Sequence, residues 1–288
     1  MNEAGFTDLI QMFPYAVVGG IVVAAACSLL GVFVILKRVV FIGVALSEVA
    51  ACGIATALVC GFHPFIGASV FSLAAVTALA QPFEPKRLPK DAFLGVLFVL
   101  AASVSILLVS KSGFGLHEVK ALLYGDLILT SRRDLVIILA TLLPVVAYLL
   151  LFLRPTLFTF LDRDAALAMQ LRVRVWELLY FVALGLAVSA ASSVAGSLLV
   201  FCYLVVAPAA ALLLSRQLWL VMTLAAGIAI ACTVVGMWLS FTRDLPTNQT
   251  IAVTTCLAFV ASLGWAGVRR WRALWTCGLP SSHAEGAA

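Results

Sequence analysis

Glu48 is the residue in this chain whose chemistry stands out from its surroundings. It lies inside an apolar run that extends from Val39 to Cys60. On insertion scales a charged residue near the centre of a membrane helix costs roughly 3 kcal/mol, so it persists there with a partner or a pathway. At helical spacing Val44, Glu48 and Cys52 fall on one face, which puts a carboxylate and a thiol one turn apart. Carboxylate oxygen and thiolate sulfur are both metal ligands, so Glu48 and Cys52 are the candidate metal-ligating pair. Two readings are open for Glu48. It is either a polar station on a translocation path or a protonated acid hydrogen-bonded to a neighbouring helix. Cys52 is open in the same way, as a soft ligand or as a small packing residue.

Other chemistry is missing. No G-x-x-x-x-G-K-[ST] stretch occurs, so the chain has no P-loop of its own for a nucleotide. His117–Glu118 lacks the second histidine of H-E-x-x-H, which argues against a zinc-dependent protease. His63, His117 and His283 all fall in expected loops or the tail, so no Ser/His pair sits within a span. The chain is therefore expected to be no enzyme and to bind no cofactor. Seven cysteines lie scattered without C-x-x-C pairs and read as small membrane-core residues.

The elements that must position Glu48 are membrane helices. Of 288 residues 64% are hydrophobic and 11% charged, against about 25% charged in soluble domains. Mean hydropathy is +1.16. The first residues hold Glu3 and Asp8 with no basic stretch and run straight into a full-length span, so no secretory signal peptide is expected. Hydrophobic segments place spans at about 15–36, 39–60, a short one from 64 to 80, 92–109, 135–153, 175–191, 197–214, 218–239 and 251–268. The stretch 111–134 is too polar to cross and reads as an extramembrane loop with a short surface helix. Spans six and seven read as a tight hairpin broken at Ser192–Gly196, with Pro208 kinking the second. Gly20, Ala24 and Ser28, and again Gly185, Ser189 and Ser193, form small-residue stripes that allow close helix approach. The expected fold is an all-α polytopic bundle of eight to nine spans. Residues 1–276 form the transmembrane domain, and 277–288 read as a disordered cytoplasmic tail.

Basic residues set the orientation. Lys37/Arg38, Lys86/Arg87/Lys90, the Arg154–Arg174 stretch, Arg216 and Arg269–Arg272 alternate onto one side, which the positive-inside bias makes cytoplasmic. Lys111, Lys120, Arg132 and Arg133 then fall outside, against the trend. The net charge of +5 is spent at span ends and implies no nucleic-acid partner; the partner surface is membrane lipid. On the inner side, Asp162 to Leu171 has helical spacing with Ala165, Ala168 and Met169 apolar. Asp162 and Asp164 at its start suit the helix macrodipole. On the outer side, Asp126 and Asp244 sit in polar turns, where turn formation alone also accounts for an aspartate.

Six stretches in order carry a resemblance to a known family, the membrane permease subunits of bacterial ABC importers for zinc, manganese or iron. Gly31–Val32–Phe33–Val34–Ile35–Leu36–Lys37–Arg38 resembles the family's G-x-F-x-V-x-R-R, and Phe41–Ile42–Gly43–Val44–Ala45–Leu46–Ser47–Glu48 its F-x-G-D-A-L-S-H. Leu123–Tyr124–Gly125–Asp126–Leu127–Ile128 is similar to L-F-G-D-I-L, and Asp162 to Val173 to the cytoplasmic F-D-x-x-x-A-x-x-x-G-L. Leu204–Val205–Val206–Ala207–Pro208–Ala209–Ala210 resembles L-L-I-I-P-A-A, and Asp244–Leu245–Pro246–Thr247 the D-x-P-x-G loop, with Asn248 at the glycine. Val44 and Glu48 stand where the family has Asp and His, and Gln170 replaces the coupling segment's glycine.

The resemblance implies a homodimeric inner-membrane permease that works with two cytoplasmic ATPase subunits and a periplasmic metal-binding protein. A divalent metal would be cargo, moved by alternating access while a partner hydrolyses ATP. It further implies that Asp162, Ala165, Ala168, Met169 and Leu171 belong to a coupling helix that docks on the ATPase. Asp126 and Asp244 would face the binding protein or frame the outer gate, and a two-fold axis would bring two copies of the Glu48 helix together. Two rivals remain: a permease of this class for a metal chelate or vitamin, and an ion-coupled secondary transporter using Glu48. The second should show an inverted repeat, and none is convincing.

Overall fold

The computed structural model describes residues 11–80, 90–111, 125, 127–161 and 172–277. Described residues form helices α1 (Pro14–Leu36), α2 (Val40–Cys60), α3 (Pro64–Ala80), α4 (Lys90–Lys111), α5 (Arg132–Leu151), α6 (Leu153–Leu161), α7 (Val173–Leu214), α8 (Leu218–Arg243) and α9 (Thr247–Cys277). A 3-10 turn at Leu127–Leu129 precedes α5. No strand occurs among the described residues. The protein is thus an all-α, multi-pass membrane bundle.

Local signals set the helix ends. Pro14 occupies the first turn of α1, where its missing N–H costs nothing. Arg38, at φ 59°, lets the chain reverse in three residues between α1 and α2. Gly61, at φ 78°, ends α2, and Pro64 opens α3. Ser131 and Asp134 form a reciprocal capping box at the start of α5.

Seven helices are long and apolar enough to cross a bilayer on their own. Helix α3 is shorter, at 17 residues, and α7, at 42, is too long to be one span. A straight helix of that length would measure about 63 Å, twice the hydrocarbon thickness of roughly 30 Å. Gly196 breaks it, with φ 73° and ψ 163°. The Tyr180 hydroxyl donates to the Leu30 carbonyl at 2.7 Å, and the Leu204 backbone packs on Gly31. Residues 24 apart on α7 therefore meet adjacent residues on α1. A straight helix would hold them about 36 Å apart, so the chain doubles back at Gly196. The expected hairpin is present, narrowed to one residue; counting α7 as two halves gives eight long crossing segments among the described residues, and nine with the shorter α3.

Helices α1, α2 and α7 form the centre. Within their membrane windows 67% of α1 and 78% of α2 are buried, against 22% for α4 and α5 and 17% for α9. The outer helices instead expose large apolar residues such as Val96, Leu143 and Leu257, the surface a bilayer requires. Close approach is concentrated at glycines. An added Cβ at Gly31 would meet the backbone of Leu204, and one at Gly53 the backbone of Gly67. The Gly185/Ser189 stripe faces α3: a Cβ at Gly185 would touch Val76, and Ser189 donates to the Ala68 carbonyl at 3.1 Å.

Basic residues stand at both ends of the bundle, Arg132, Arg133 and Arg243 at the end where α5 and α9 begin and Lys37 and Arg269 at the other. Lys37 pairs with Glu177 at 2.8 Å, and its ammonium stands 4.5 Å and 4.6 Å from the ring centres of Phe160 and Phe181. Arg269 donates to the Leu214 carbonyl at 3.4 Å. The polar stretch before α5 departs from expectation. Leu127 is fully buried, packed by the opposite ends of α1 and α9, so this part of the loop enters the bundle. Asp126, the segment 162–171 with its expected coupling helix, and the tail from 278 lie outside the described residues.

Candidate functional site

Glu48 occupies the middle of α2, the most enclosed helix, and is 6% exposed. Its run Gly43–Ala45–Leu46–Ser47 is small enough for α7 to pack closely, with Gly43 against the Leu204 side chain. The Ser197 side chain lies beside the Glu48 carboxylate. One carboxylate oxygen, Oε1, is buried with no hydrogen-bond partner among the described residues. An unsatisfied buried acceptor of this kind is costly, and more so when charged. A cation at Oε1 would supply the missing interaction.

Ser197 is the first residue of the second half of α7, directly after the break. The Gly196 backbone lies in a region of conformational space open essentially only to glycine. Gly125, itself at φ 59°, packs on that break: a Cβ there would strike the Gly196 nitrogen and stand 2.6 Å from the Ala195 carbonyl carbon. Asn248, 3% exposed at the start of α9, donates from Nδ2 to the Ala195 carbonyl at 2.9 Å. Its Oδ1 accepts from the Leu127 N–H at 3.4 Å. One amide thus ties the loop before α5, the break in α7 and the start of α9. A carboxylate beside a helix start is also favoured by the positive end of the helix dipole.

Cys52 sits one turn beyond Glu48, 4% exposed, and its carbonyl accepts from the Thr56 hydroxyl at 2.8 Å. Val44, the other position on that face, is half-buried and brings no ligand. No group of three or more His, Cys, Asp or Glu residues capable of holding a metal occurs among the described residues. A single protomer therefore offers one carboxylate with a hydroxyl and a thiol nearby. That set suits passage better than tight retention.

The carboxylate lies beside α7 of its own chain. Asp244 closes α8 with φ 50° and lies exposed in the turn to α9. That geometry meets the turn-forming reading and leaves the side chain accessible. His63 is exposed in the α2–α3 turn, as a loop histidine should be. Sequence reasoning missed Ser197 and Asn248. The one available signal was Asn248 at a position where the resembling motif has glycine.

Comparison with known proteins gives a consistent result. Residues 9–266 match the profile of the ABC 3 transport family. The manganese transport system membrane protein MntC of Halalkalibacterium halodurans is 28% identical over 94% of this chain and 96% of its own. The manganese import system permease protein ScaB of Streptococcus parasanguinis is 26% identical over 89% of this chain and 92% of its own. Among solved structures, PsaBC from Streptococcus pneumoniae in complex with Fab superposes with a TM-score of 0.80 at 23% identity. The match spans 89% of this chain and 94% of that one.

Proposed function

We propose that this chain, which belongs to the ABC 3 transport family, is the permease subunit of an importer that carries a divalent metal ion across the inner membrane. The observation that carries the reading is the buried Glu48 carboxylate, with Oε1 unpartnered in the bundle's most enclosed helix. In this proposal the ion passes between α2 and the second half of α7 and exchanges water for Glu48 on the way. Oxygen ligands without imidazole favour a harder cation, so manganese is the preferred cargo over zinc. The two relatives described above, whose names specify manganese, point the same way.

Alternating access in this proposal is driven by ATP hydrolysed on two cytoplasmic partner subunits, with the permease as a homodimer. A metal-binding protein delivers the ion at the outer face. Asp162, Ala165, Ala168, Met169 and Leu171 form the ATPase-coupling segment, and Asp126 and Asp244 mark the delivery face.

The test is Mn2+ uptake into vesicles holding the permease with its ATPase subunits. Glu48→Gln keeps size and hydrogen bonding but removes the charge. It should insert and dimerise normally and lose uptake, while Cys52→Ala keeps most of it. Full uptake by the Glu48→Gln protein would reduce Glu48 to a buried structural acid.

A further inference from the structure

Four arginines stand at the inner ends of α7, α8 and α9, in stretches of sequence that hold no acid. No Asp or Glu occurs between Glu177 and Asp244, or between Asp244 and Glu285. Arg216 is exposed in the turn from α7 to α8. Arg269 is exposed near the end of α9, and its Nη1 donates to the Leu214 carbonyl at 3.4 Å, which brings the two stretches together. Arg270 and Arg272 follow on the same helix. Lys37, at this end too, differs in having the Glu177 carboxylate at 2.8 Å. Tryptophans accompany the arginines. Trp219 is 63% exposed and Trp265 60%, with Trp271 and Trp275 further along α9. Helical spacing sets Trp265, Arg269 and Arg272 on one face of α9 and Val268, Trp271 and Trp275 on the next. The 31 residues of α9 measure about 46 Å against roughly 30 Å of hydrocarbon, so the helix runs on into the headgroup layer. Tryptophan is enriched in that layer, and the arginine fork matches phosphate oxygens.

We propose that the α7–α8 turn and the inner end of α9 form a binding surface for anionic phospholipid headgroups of the inner leaflet, with phosphatidylglycerol as the occupant. Arg216, Arg269, Arg270 and Arg272 supply the charge that the lipid phosphate complements, and Trp219 and Trp265 mark the depth of the interface. Lipid is favoured over an acidic protein by position: α9 has the least enclosed membrane window, 17% buried, so its end stands among lipids. The proposal rests on the orientation that puts Lys37 and Arg269 inside, and it holds whatever ion the permease carries.

The experiment titrates short-chain phosphatidylglycerol into the detergent-purified complex of permease and ATPase subunits and reads binding by thermophoresis. Short-chain phosphatidylcholine is the neutral reference. Wild type should bind phosphatidylglycerol more tightly than phosphatidylcholine, and the difference should shrink as salt is raised. Arg216→Gln should weaken phosphatidylglycerol binding about fivefold, and the Arg269→Gln/Arg270→Gln/Arg272→Gln variant roughly tenfold or more, with phosphatidylcholine unaffected in both. Arg132→Gln/Arg133→Gln removes two exposed charges at the opposite end of the bundle and should bind phosphatidylglycerol as wild type does. Equal binding of the two lipids overturns the proposal, and so does an equal loss from the Arg132/Arg133 pair, which would reduce the effect to net charge. Loss of the ATPase subunits from the triple variant with phosphatidylglycerol binding intact would assign the arginines to the protein partner and overturn it as well. Should the triple variant fail to insert, Arg216→Gln and Arg272→Gln, made singly, decide by the same criterion.

Discussion

Replacing Gly31 with alanine adds one methyl at the closest backbone contact between α1 and α7. Built on the existing backbone, that Cβ would stand 2.7 Å from the Leu204 carbonyl carbon and 2.8 Å from its Cα, and would strike the carbonyl oxygen. Relaxed carbon–carbon contacts begin near 3.5 Å, so the two carbon contacts alone require the helices to part by about 0.7–0.8 Å, and clearing the oxygen requires more. No side chain can rotate away to absorb this, because all three atoms are main chain. Overpacking of this kind costs about 1–3 kcal/mol. For a domain of this size each kcal/mol lowers Tm by roughly 2–4 °C, which gives an expected fall of about 2–12 °C. The assay is thermal unfolding of the detergent-purified protein, with Gly227→Ala as control. Gly227 has nothing within 4 Å of a new Cβ, and alanine is the better helix former, so that variant should melt at or above wild type. A Gly31→Ala protein that melts with wild type would refute the close α1–α7 contact, and with it the doubling back of α7.

Three further outcomes are expected. Lys37→Ala removes an ion pair and two ring contacts and should cost about 1–2 kcal/mol by the same melting assay, with Lys37→Arg recovering most of it; an unchanged Lys37→Ala midpoint would mean the cluster contributes nothing. A cysteine at Asp244, in a protein freed of its exposed native cysteines, should react with an impermeant thiol reagent in intact spheroplasts, and labelling only after lysis would reverse the orientation. Ala165→Asp with Met169→Asp should leave the permease inserted but separate ATPase activity from uptake, so normal uptake by that variant would remove the coupling role from the segment.

What could be read from residues alone was what hydrophobicity and turn chemistry control. Apolar runs bounded by Lys37–Arg38, Gly61–Pro64 and Asp244–Pro246 became helices with ends within a few residues of those expected. The spans around Ser192–Gly196 were separable because small and polar residues interrupt them. Glu48 stood out because a carboxylate in hydrocarbon needs a reason. Its neighbour across the helix pair could not be read, because the packing of α2 on α7 joins residues about 150 apart and a lone serine carries no periodic signal. Leu127 was placed outside the membrane for a related reason. Its polar neighbours dominate a hydropathy window, while its side chain packs near Gly20 and its N–H reaches Asn248, 121 residues away. The small-residue stripe at Gly20, Ala24 and Ser28 was legible as a packing face, but Gly20 packs on the side chains of Met237 and Leu127. The tighter backbone contact falls at Gly31.

The break in α7 shows why these features occur together. A chain that turns inside a membrane bundle exposes main-chain groups with no helical partner, and hydrocarbon offers none. Ala195, immediately before the turn, has its carbonyl satisfied by Asn248, whose other end satisfies the Leu127 N–H on the incoming loop. That arrangement requires the loop to reach the turn, so residue 125 must lack a side chain, and Gly196 must adopt a conformation closed to other residues. The polar atoms needed to make the turn are thereby gathered one residue from Ser197, beside the one carboxylate buried in α2. A mid-membrane carboxylate without such a turn would have only apolar helix faces for neighbours. Glu48 lies opposite the break, so the same departure from helix that shortens α7 to membrane length also sets a serine beside the acid. The prediction that separates coincidence from coupling is Gly125→Ala. Its methyl would crowd the Ala195–Gly196 peptide and shift the start of the second half of α7 without touching Glu48, so Mn2+ uptake should lose affinity. If uptake by a stably inserted Gly125→Ala protein keeps its wild-type concentration dependence, the turn and the carboxylate are neighbours without a shared function.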